Sequence, residues 1–208
     1  MEQRLAERSL HAGAPVFIRI FKQEHVLELW LLDAGRYRLF DTYPICAWSG
    51  ALGPKLREGD GQAPEGFYAI RPAQMNPNSH YYRAFNLGFP NAYDAANGRT
   101  GSELMIHGAC GSVGCYAMSD PQMGEIYDFA QAAFDRGQTE IAIDILPFRP
   151  TDAAFAAHAT DPWIGFWRVL AQGDGVFDAS GRPTPVFACG QAYGFTAGAG
   201  CVSIRGSD

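Results

Sequence analysis

The chain has 208 residues, 47% hydrophobic and 18% charged, so it is long and apolar enough to bury one good core and is not intrinsically disordered. Its net charge of −6 and its lack of any Lys/Arg run argue against a nucleic-acid-binding protein, because no basic stripe is present to neutralise phosphates. The 24 glycines and 13 prolines favour a loop-rich, β-dominated fold.

The start of the chain carries no targeting or membrane signal. The longest early apolar run, residues 27–32, is interrupted by Glu28, so no membrane span is expected. Residues 1–10, MEQRLAERSL, contain no signal-peptide core, which by itself favours the cytoplasm. We predict residues 1–14 to be a polar N-terminal segment, within which residues 1–10 form a helical turn or fray.

The first half of the chain is predicted to form strands and loops. The runs VFIRIF, VLELWLL and YRLFDTY are separated by short turn signals and predict three strands of a meander. Residues 49–66 form a loop that is either a plain connection or a wall of a ligand groove, and a strand returns at 64–70. Residues 76–101 mix turn residues with aromatics, which either line a cleft or fill space beneath a long loop.

The second half adds helices. Asp120 as N-cap and Pro121 start a helix with a clean apolar period that ends at Gly137. Alternating isoleucines predict a strand at 140–146, and start signals predict helices at 152–159 and 162–172. Residues 173–208 are Gly-rich, with short strand-like pieces and no helical period. The fold class is therefore α+β, mainly β with helices.

The segment from Glu103 to Tyr127, ELMIHGACGSVGCYAMSDPQMGEIY, carries the candidate chemistry. A short apolar strand delivers His107 to a sheet edge, and a glycine-rich loop follows. Cys115 comes directly after Gly114, so its thiol and backbone N–H face one small space. This arrangement suits a cysteine nucleophile paired with a histidine base, although a lone cysteine is more commonly a buried structural residue.

Each role in such a site has a candidate residue. His107 is the candidate base, with His80 as its rival. No Asp or Asn adjoins His107, so the carbonyl of Gly108 is the candidate group that orients the ring. The backbone N–H groups of Gly114 and Cys115 are the candidate oxyanion donors. Ser112 either binds substrate or stabilises the turn.

Two alternative functions remain open, a metal site and a non-catalytic binding module. His107, Cys110 and Cys115 offer three zinc ligands, although a fourth is missing nearby and the chain has no CxxC pair. A non-catalytic module that grips cell-wall glycopeptide through its aromatic loops is the second. Fast alkylation of Cys115 at neutral pH would favour catalysis over both. No cofactor is implied.

The string IHGACGSVGCYAMSD resembles the active-site segment of the L,D-transpeptidase catalytic domain family, of YkuD type, and in particular its YafK-like branch. The family's histidine and Ser-x-Gly-Cys segment match His107, Ser112, Gly114 and Cys115. Further likeness runs through residues 42–68 and 85–102. The resemblance implies a β-sandwich or barrel-like catalytic domain at 15–150, with residues 151–208 as a C-terminal extension packed on the same domain.

The resemblance also implies an activity. Cys115 is expected to form a thioester with peptidoglycan stem peptides at the L-centre of diaminopimelate, in the periplasm or cell envelope after removal of a leader. The candidate substrate-binding residues are those of the cleft-forming loops: Arg71, His80, Tyr82, Arg83, Asn86 and Arg99. The arginines either pair with substrate carboxylates or are ordinary surface arginines.

Two departures from the family pattern bear on the second half-reaction. The chain has Ala117 where many relatives carry Arg or Asn, and Cys115 follows His107 by only eight positions. Both favour water as acceptor, so we expect hydrolysis that releases a peptide or wall-linked protein to compete with transpeptidation.

The five cysteines leave at least one free thiol, for which Cys115 is the candidate. Cys189 and Cys201 are expected to form a disulfide in an oxidising compartment. Pairing of Cys46 with Cys110 depends on the fold.

Overall fold

A computed structural model describes residues 2–205 of the chain and forms an α+β fold dominated by sheets. Met1 of the predicted N-terminal segment and residues 206–208 of the predicted C-terminal extension lie outside the described residues. The α-helices in this part of the chain are α1 Glu2–Glu7, α2 Ala92–Ala96, α3 Asp120–Asp135, α4 Asp152–Ala157 and α5 Ile164–Ser180. The strands are β1 Val16–Phe21, β2 Val26–Asp33, β3 Arg36–Pro44, β4 Ala47–Trp48, β5 Gly66–Ile70, β6 Met75–Ser79, β7 Tyr82–Asn86, β8 Met105–His107, β9 Tyr116–Ala117, β10 Ile141–Leu146, β11 Val186–Cys189, β12 Ala192–Gly194 and β13 Val202–Arg205.

These strands form three sheets. The first sheet has the order β3-β2-β1-β10-β5, in which β1 and β10 run parallel and the other neighbours antiparallel. The second has the order β4-β9-β8-β7-β6, with β8 and β9 parallel. The third is the antiparallel sheet β12-β11-β13 near the C-terminus. The predicted α+β, mainly β class is confirmed.

The first sheet is the central layer. One of its faces packs with the second sheet and α3 into a single apolar cluster that includes Ile18, Ile106 and Ile126. Its other face meets α5 and the third sheet, through clusters that include Phe17 with Phe177 and Phe67 with Trp167. Because both faces are covered, every residue of β1 and β10 is buried, as is usual for strands inside a layered domain.

The predicted meander, the strand at 64–70, the strand at 140–146 and the helix after Pro121 are all confirmed. The predicted N-cap of that helix is wrong by one residue. Ser119 is the N-cap, and both its backbone N–H and its hydroxyl approach Oε1 of Gln122, at 3.4 and 2.8 Å. Asp120 therefore lies in the first turn, and its carboxylate is free to serve the active-site loop.

The predicted end of the second C-terminal helix is also wrong. The helix predicted at 162–172 continues as α5 to Ser180, through Gly173 and Gly175. Gly173 is required by packing, because an added Cβ would lie 2.5 Å from Cζ of Phe67. The helix ends instead at Gly181, whose φ of +70° is readily adopted by glycine. The short strands predicted beyond it are present, and the predicted Cys189–Cys201 disulfide joins them.

A buried lysine anchors the 49–66 loop to the central sheet. Lys22, directly after β1, is fully buried, and its Nζ lies 2.9–3.1 Å from the carbonyls of Ala51, Gly53 and Ala63. Its fourth partner is Oε1 of Glu65, at 3.1 Å. The other carboxylate oxygen of Glu65 accepts the indole N–H of Trp167 at 2.8 Å. One ion pair thus ties together the central sheet, the loop and α5.

We expect Lys22→Met to lower the free energy of unfolding by about 3–5 kcal/mol, the usual cost of removing one partner from a buried ion pair. The carboxylate of Glu65 would stay buried without its counter-ion. Urea unfolding followed by tryptophan fluorescence measures the change. The double variant Lys22→Met/Glu65→Gln is the matched control and should recover part of the loss. An unchanged midpoint for Lys22→Met would contradict this account.

Candidate active site

His107 and Cys115 lie on one face of the second sheet. In the parallel pair β8–β9, Ile106 is opposite Tyr116 and His107 is opposite Ala117. Ile106 and Tyr116 point into the core. Because side chains alternate along a strand, His107 points to the opposite face, and Cys115, one residue before β9, points the same way. The two side chains are therefore diagonal neighbours on one face of adjacent strands.

Cys115 is the free cysteine of the five, as predicted, and is 8% exposed. Its Sγ lies 3.6 Å from the carbonyl oxygen of Glu103, to which the thiol donates. Burial raises the pKa of the thiol, and the carboxylate of Glu103 adds to the rise. The backbone of Met105 and the ammonium of Lys55 act in the opposite direction without cancelling it. The resting group is therefore a neutral thiol, which needs a base.

His107 is the candidate for that base. Its Nδ1 lies 2.5 Å from the carbonyl oxygen of Gly108, which can only accept, so Nδ1 carries the proton and Nε2 presents a lone pair. The ring is 2% exposed, and the ring of Tyr81 lies over it with centroids 4.8 Å apart. Burial lowers the pKa of His107, so the imidazole is neutral at neutral pH. The contact with Gly108 is the one that the sequence suggested for orienting the ring.

The loop between His107 and Cys115 is held at several points. The N–H of Ala109 donates to Oδ1 of Asp120 at 2.7 Å, and Cys110 is joined by a disulfide to Cys46 beside β4. Gly108 leaves no room for a side chain, since an added Cβ would lie 2.6 Å from the carboxylate of Asp120 and 2.9 Å from Cβ of Tyr82.

The disulfide settles one alternative. With its sulfur bonded to Cys46, Cys110 has no thiolate to offer a metal, and the zinc interpretation of His107, Cys110 and Cys115 is overturned. Within residues 2–205 there is also no group of three or more His, Cys, Asp or Glu side chains arranged to hold a metal ion.

Two serines bracket the peptide that carries the nucleophile. The hydroxyl of Ser112 donates to the carbonyl oxygen of Cys115 at 2.6 Å, so it stabilises the turn. The N–H of Gly114 donates to Oγ of Ser49 at 2.5 Å. Gly114 was predicted to offer this N–H to an oxyanion, but in this structure the hydrogen bond is given to Ser49.

The three predicted substrate arginines are all ion-paired. Arg71 pairs with Glu140 at 2.7 Å and Arg83 with Asp128 at 2.5 Å. Arg99 pairs with Asp94 at 2.8 Å, and its side chain is only 6% exposed. The structure therefore places Arg99 in the interior, whereas Arg71 and Arg83 remain partly accessible.

The other predicted substrate residues belong to the β6–β7 hairpin. His80 is exposed at the turn of this hairpin, directly before Tyr81. Tyr82 is 43% exposed, and its Cβ lies against Gly108, so it borders the active-site loop. Asn86 is opposite Met105 in the β7–β8 pair, and its Oδ1 accepts the N–H of Gly88 at 2.8 Å. Asn86 and Arg71 line a cavity of about 470 Å³.

Four residues of the site escaped sequence reasoning. Ser49 and Lys55 come from the 49–66 loop, Tyr81 covers His107, and Asp120 holds the loop after His107. Lys55 is 3% exposed and donates to Asp60 at 2.6 Å, yet its charge is felt at the Cys115 thiol. For Ser49 and Lys55 the available signal was that their loop was a candidate groove wall. Tyr81 lay among the aromatics of residues 76–101, and Asp120 was interpreted only as a helix cap.

Comparison with known proteins identifies relatives. The profile of the YkuD family, described as the L,D-transpeptidase catalytic domain, matches residues 15–174. A protein of Escherichia coli K12 named "Putative L,D-transpeptidase YafK" is 46% identical over 174 residues, which cover 84% of this chain and 71% of that protein. The protein of the same name from Escherichia coli O157:H7 matches to the same extent.

Solved structures share the fold. The crystal structure of the helical cell shape determining protein Pgp2 from Campylobacter jejuni superposes with a TM-score of 0.51 at 22% identity, covering 71% of this chain and 55% of Pgp2. Its K307A mutant superposes equally well at 20% identity, covering 85% of this chain and 64% of the mutant. This chain thus spans little more than half of Pgp2 in the first comparison, and the likeness establishes the fold alone.

Tyr81 offers a test of what keeps His107 neutral. We expect Tyr81→Ala to admit water and raise the pKa of His107 toward the ordinary value of about 6.5. A neutral base would then be lost at a higher pH, so the acid limb of any His107-dependent reaction moves up. Histidine titration by NMR measures this, with Tyr81→Phe as the control that keeps the ring. An identical His107 pKa in all three proteins would show that the ring does not desolvate it.

Proposed function

We propose, from the premise that this chain belongs to the L,D-transpeptidase catalytic domain family, that it is an enzyme acting on peptidoglycan. The family resemblance predicted from His107, Ser112, Gly114 and Cys115 is confirmed by the match over residues 15–174. The finer proposal is a cysteine acyltransferase whose substrate is a stem peptide of the diaminopimelate type. It rests chiefly on one observation: a free thiol shares a sheet face with an imidazole whose Nδ1–H is fixed by a backbone carbonyl.

The chemistry follows from two neutral partners. Nε2 of His107 takes the proton of the Cys115 thiol as the sulfur attacks the carbonyl at the L-centre of diaminopimelate. The new S–C bond pushes an electron pair onto the carbonyl oxygen. When that pair returns, the C–N bond breaks, and the amine leaves with the proton held by His107. A thioester on Cys115 remains, and an amine or water resolves it.

The surroundings of His107 favour water as the acceptor. Its neighbours on the same face of the adjoining strands are Ala117 and Ala84, both fully buried and both too small to hold an acceptor amine by a polar contact. We therefore propose that hydrolysis, releasing a peptide or a protein joined to diaminopimelate, competes strongly with transpeptidation.

An oxidising location outside the cytoplasm supports the same function. The disulfides Cys46–Cys110 and Cys189–Cys201 are typical of the periplasm or cell envelope, where peptidoglycan lies. Within residues 2–205, none of the helices has the length and apolar character needed to cross a membrane.

The first test concerns the nucleophile and its base. A carbapenem-type β-lactam, the acylating probe that the family suggests, should add covalently to the wild-type protein and fail to add to Cys115→Ala. His107→Ala should slow acylation by about two to four decades, the usual worth of a general base. Intact-protein mass spectrometry over time measures both rates.

Removal of the rival histidine is the matched control, since His80→Ala should change the acylation rate far less. An adduct that survives Cys115→Ala would refute the nucleophile, and a larger effect at His80 would refute the base. A non-catalytic wall-binding module predicts no adduct in any of these proteins.

The second test concerns the acceptor. Purified muropeptides and protein-linked peptidoglycan are incubated with the protein, and products are followed by chromatography and mass. We expect cleavage products to form at a rate at least comparable to that of new cross-links, because the alanines beside His107 offer no polar contact to an acceptor amine. Diaminopimelate–diaminopimelate cross-links without cleavage would overturn the preference for hydrolysis.

A further inference from the structure

Acyl transfer through Cys115 requires hydrogen-bond donors for the oxygen that becomes negative in the tetrahedral intermediate. The backbone N–H of Cys115 is one natural donor. The neighbouring N–H of Gly114 is engaged with Oγ of Ser49 at 2.5 Å. A site that relied on both backbone groups would have to break this hydrogen bond in every turnover.

The sheet places Ser49 beside the nucleophile. In the antiparallel pair β4–β9, Ala47 is opposite Ala117 and Trp48 is opposite Tyr116. Continuing this register by one position sets Ser49 opposite Cys115. Facing residues of antiparallel strands carry their side chains on one face, with Cβ atoms about 4.5–5.5 Å apart. The hydroxyl of Ser49 therefore lies on the same face as the thiol of Cys115 and the ring of His107.

The backbone of Ser49 is fixed from the other side. Its carbonyl oxygen accepts the N–H of Ala63 at 2.9 Å, and the carbonyl of Ala63 in turn receives the ammonium of Lys22 at 2.9 Å. Ser49 is therefore held by the buried Lys22 cluster, on the rigid end of the 49–66 loop. A preorganised donor needs such support, because it must not reorient as charge develops.

The hydroxyl of Ser49 retains a proton to donate. A serine hydroxyl has one donor and two acceptor lone pairs, and Ser49 uses one lone pair on Gly114. Among residues 2–205 no oxygen accepts the Ser49 proton. Ser112 differs, because its proton is already committed to the carbonyl of Cys115 at 2.6 Å.

We propose that Ser49 is a catalytic residue whose hydroxyl, together with the N–H of Cys115, forms the oxyanion hole of this enzyme. The proposal rests on the proposed acyl transfer at Cys115. Ser49 donates a hydrogen bond to the carbonyl oxygen as the S–C bond forms, and it keeps its proton throughout. The N–H of Gly114 strengthens that bond through the hydrogen-bond chain Gly114 N–H, Ser49 O–H, oxyanion.

Two thiol reactions separate this role from a structural one. Acylation by p-nitrophenyl acetate passes through an oxyanion, whereas alkylation by iodoacetamide displaces iodide at a saturated carbon and forms none. Ser49→Ala should slow acylation of Cys115 by about 10²–10³-fold, the usual effect of losing one oxyanion donor. Its alkylation rate should stay within about threefold of wild type. Ser49→Thr keeps the hydroxyl and should restore most of the acylation rate.

Ser102→Ala is the matched control, since this exposed serine is hydrogen-bonded only to Glu58 in the described structure, and both rates should be unchanged. Equal acylation in wild type and Ser49→Ala overturns the role of Ser49 while leaving acyl transfer intact. Equal slowing of both reactions shows that Ser49 merely positions the loop, and also overturns it. A wild-type protein that alkylates but never acylates refutes the proposed function itself, and the oxyanion role with it.

Discussion

The buried ammonium of Lys22 is the constraint on which the active site depends. A lysine can be kept in the interior only if oxygen atoms replace its water, and here the oxygens are three loop carbonyls and the carboxylate of Glu65. The same interaction therefore folds a long glycine-rich loop into one conformation. That loop carries Ser49 to the peptide before Cys115 and Lys55 to the neighbourhood of its thiol. The conformation of the long loop is fixed because one desolvated charge requires its carbonyl groups.

Burial acts on the two candidate catalytic groups, Cys115 and His107, in the same sense. Burial disfavours both the thiolate of Cys115 and the imidazolium of His107, so the resting pair is neutral. In the proposed acyl transfer, charge develops only as the thiol attacks. Such a pair differs from a preformed thiolate–imidazolium pair, which would need cations or helix dipoles close to the sulfur. The carbonyl of Gly108 binds Nδ1 of His107 and so holds the ring with Nε2 free.

Rigidity comes from the short loop between base and nucleophile. The disulfide to Cys46, the carboxylate of Asp120 and the tight packing at Gly108 hold that loop on three sides. The strand position beside His107 is taken by a small buried residue, Ala117.

Local pattern alone determined the strands of the meander and the helix after Pro121, because period, caps and short-range spacing are properties of neighbouring residues. The family followed from the resemblance of the segment around His107 and Cys115 to a known motif. Prediction from local pattern failed where contacts between distant parts of the chain determine the structure. The packing of Gly173 against Phe67 carries α5 past its predicted end, and ion pairs withdraw Arg99 from any cleft. Only the tertiary structure brought Ser49, 65 residues before Gly114, to the nucleophile. Sheet register and the burial of Lys22 made that contact, and neither has a signature in the sequence around Cys115.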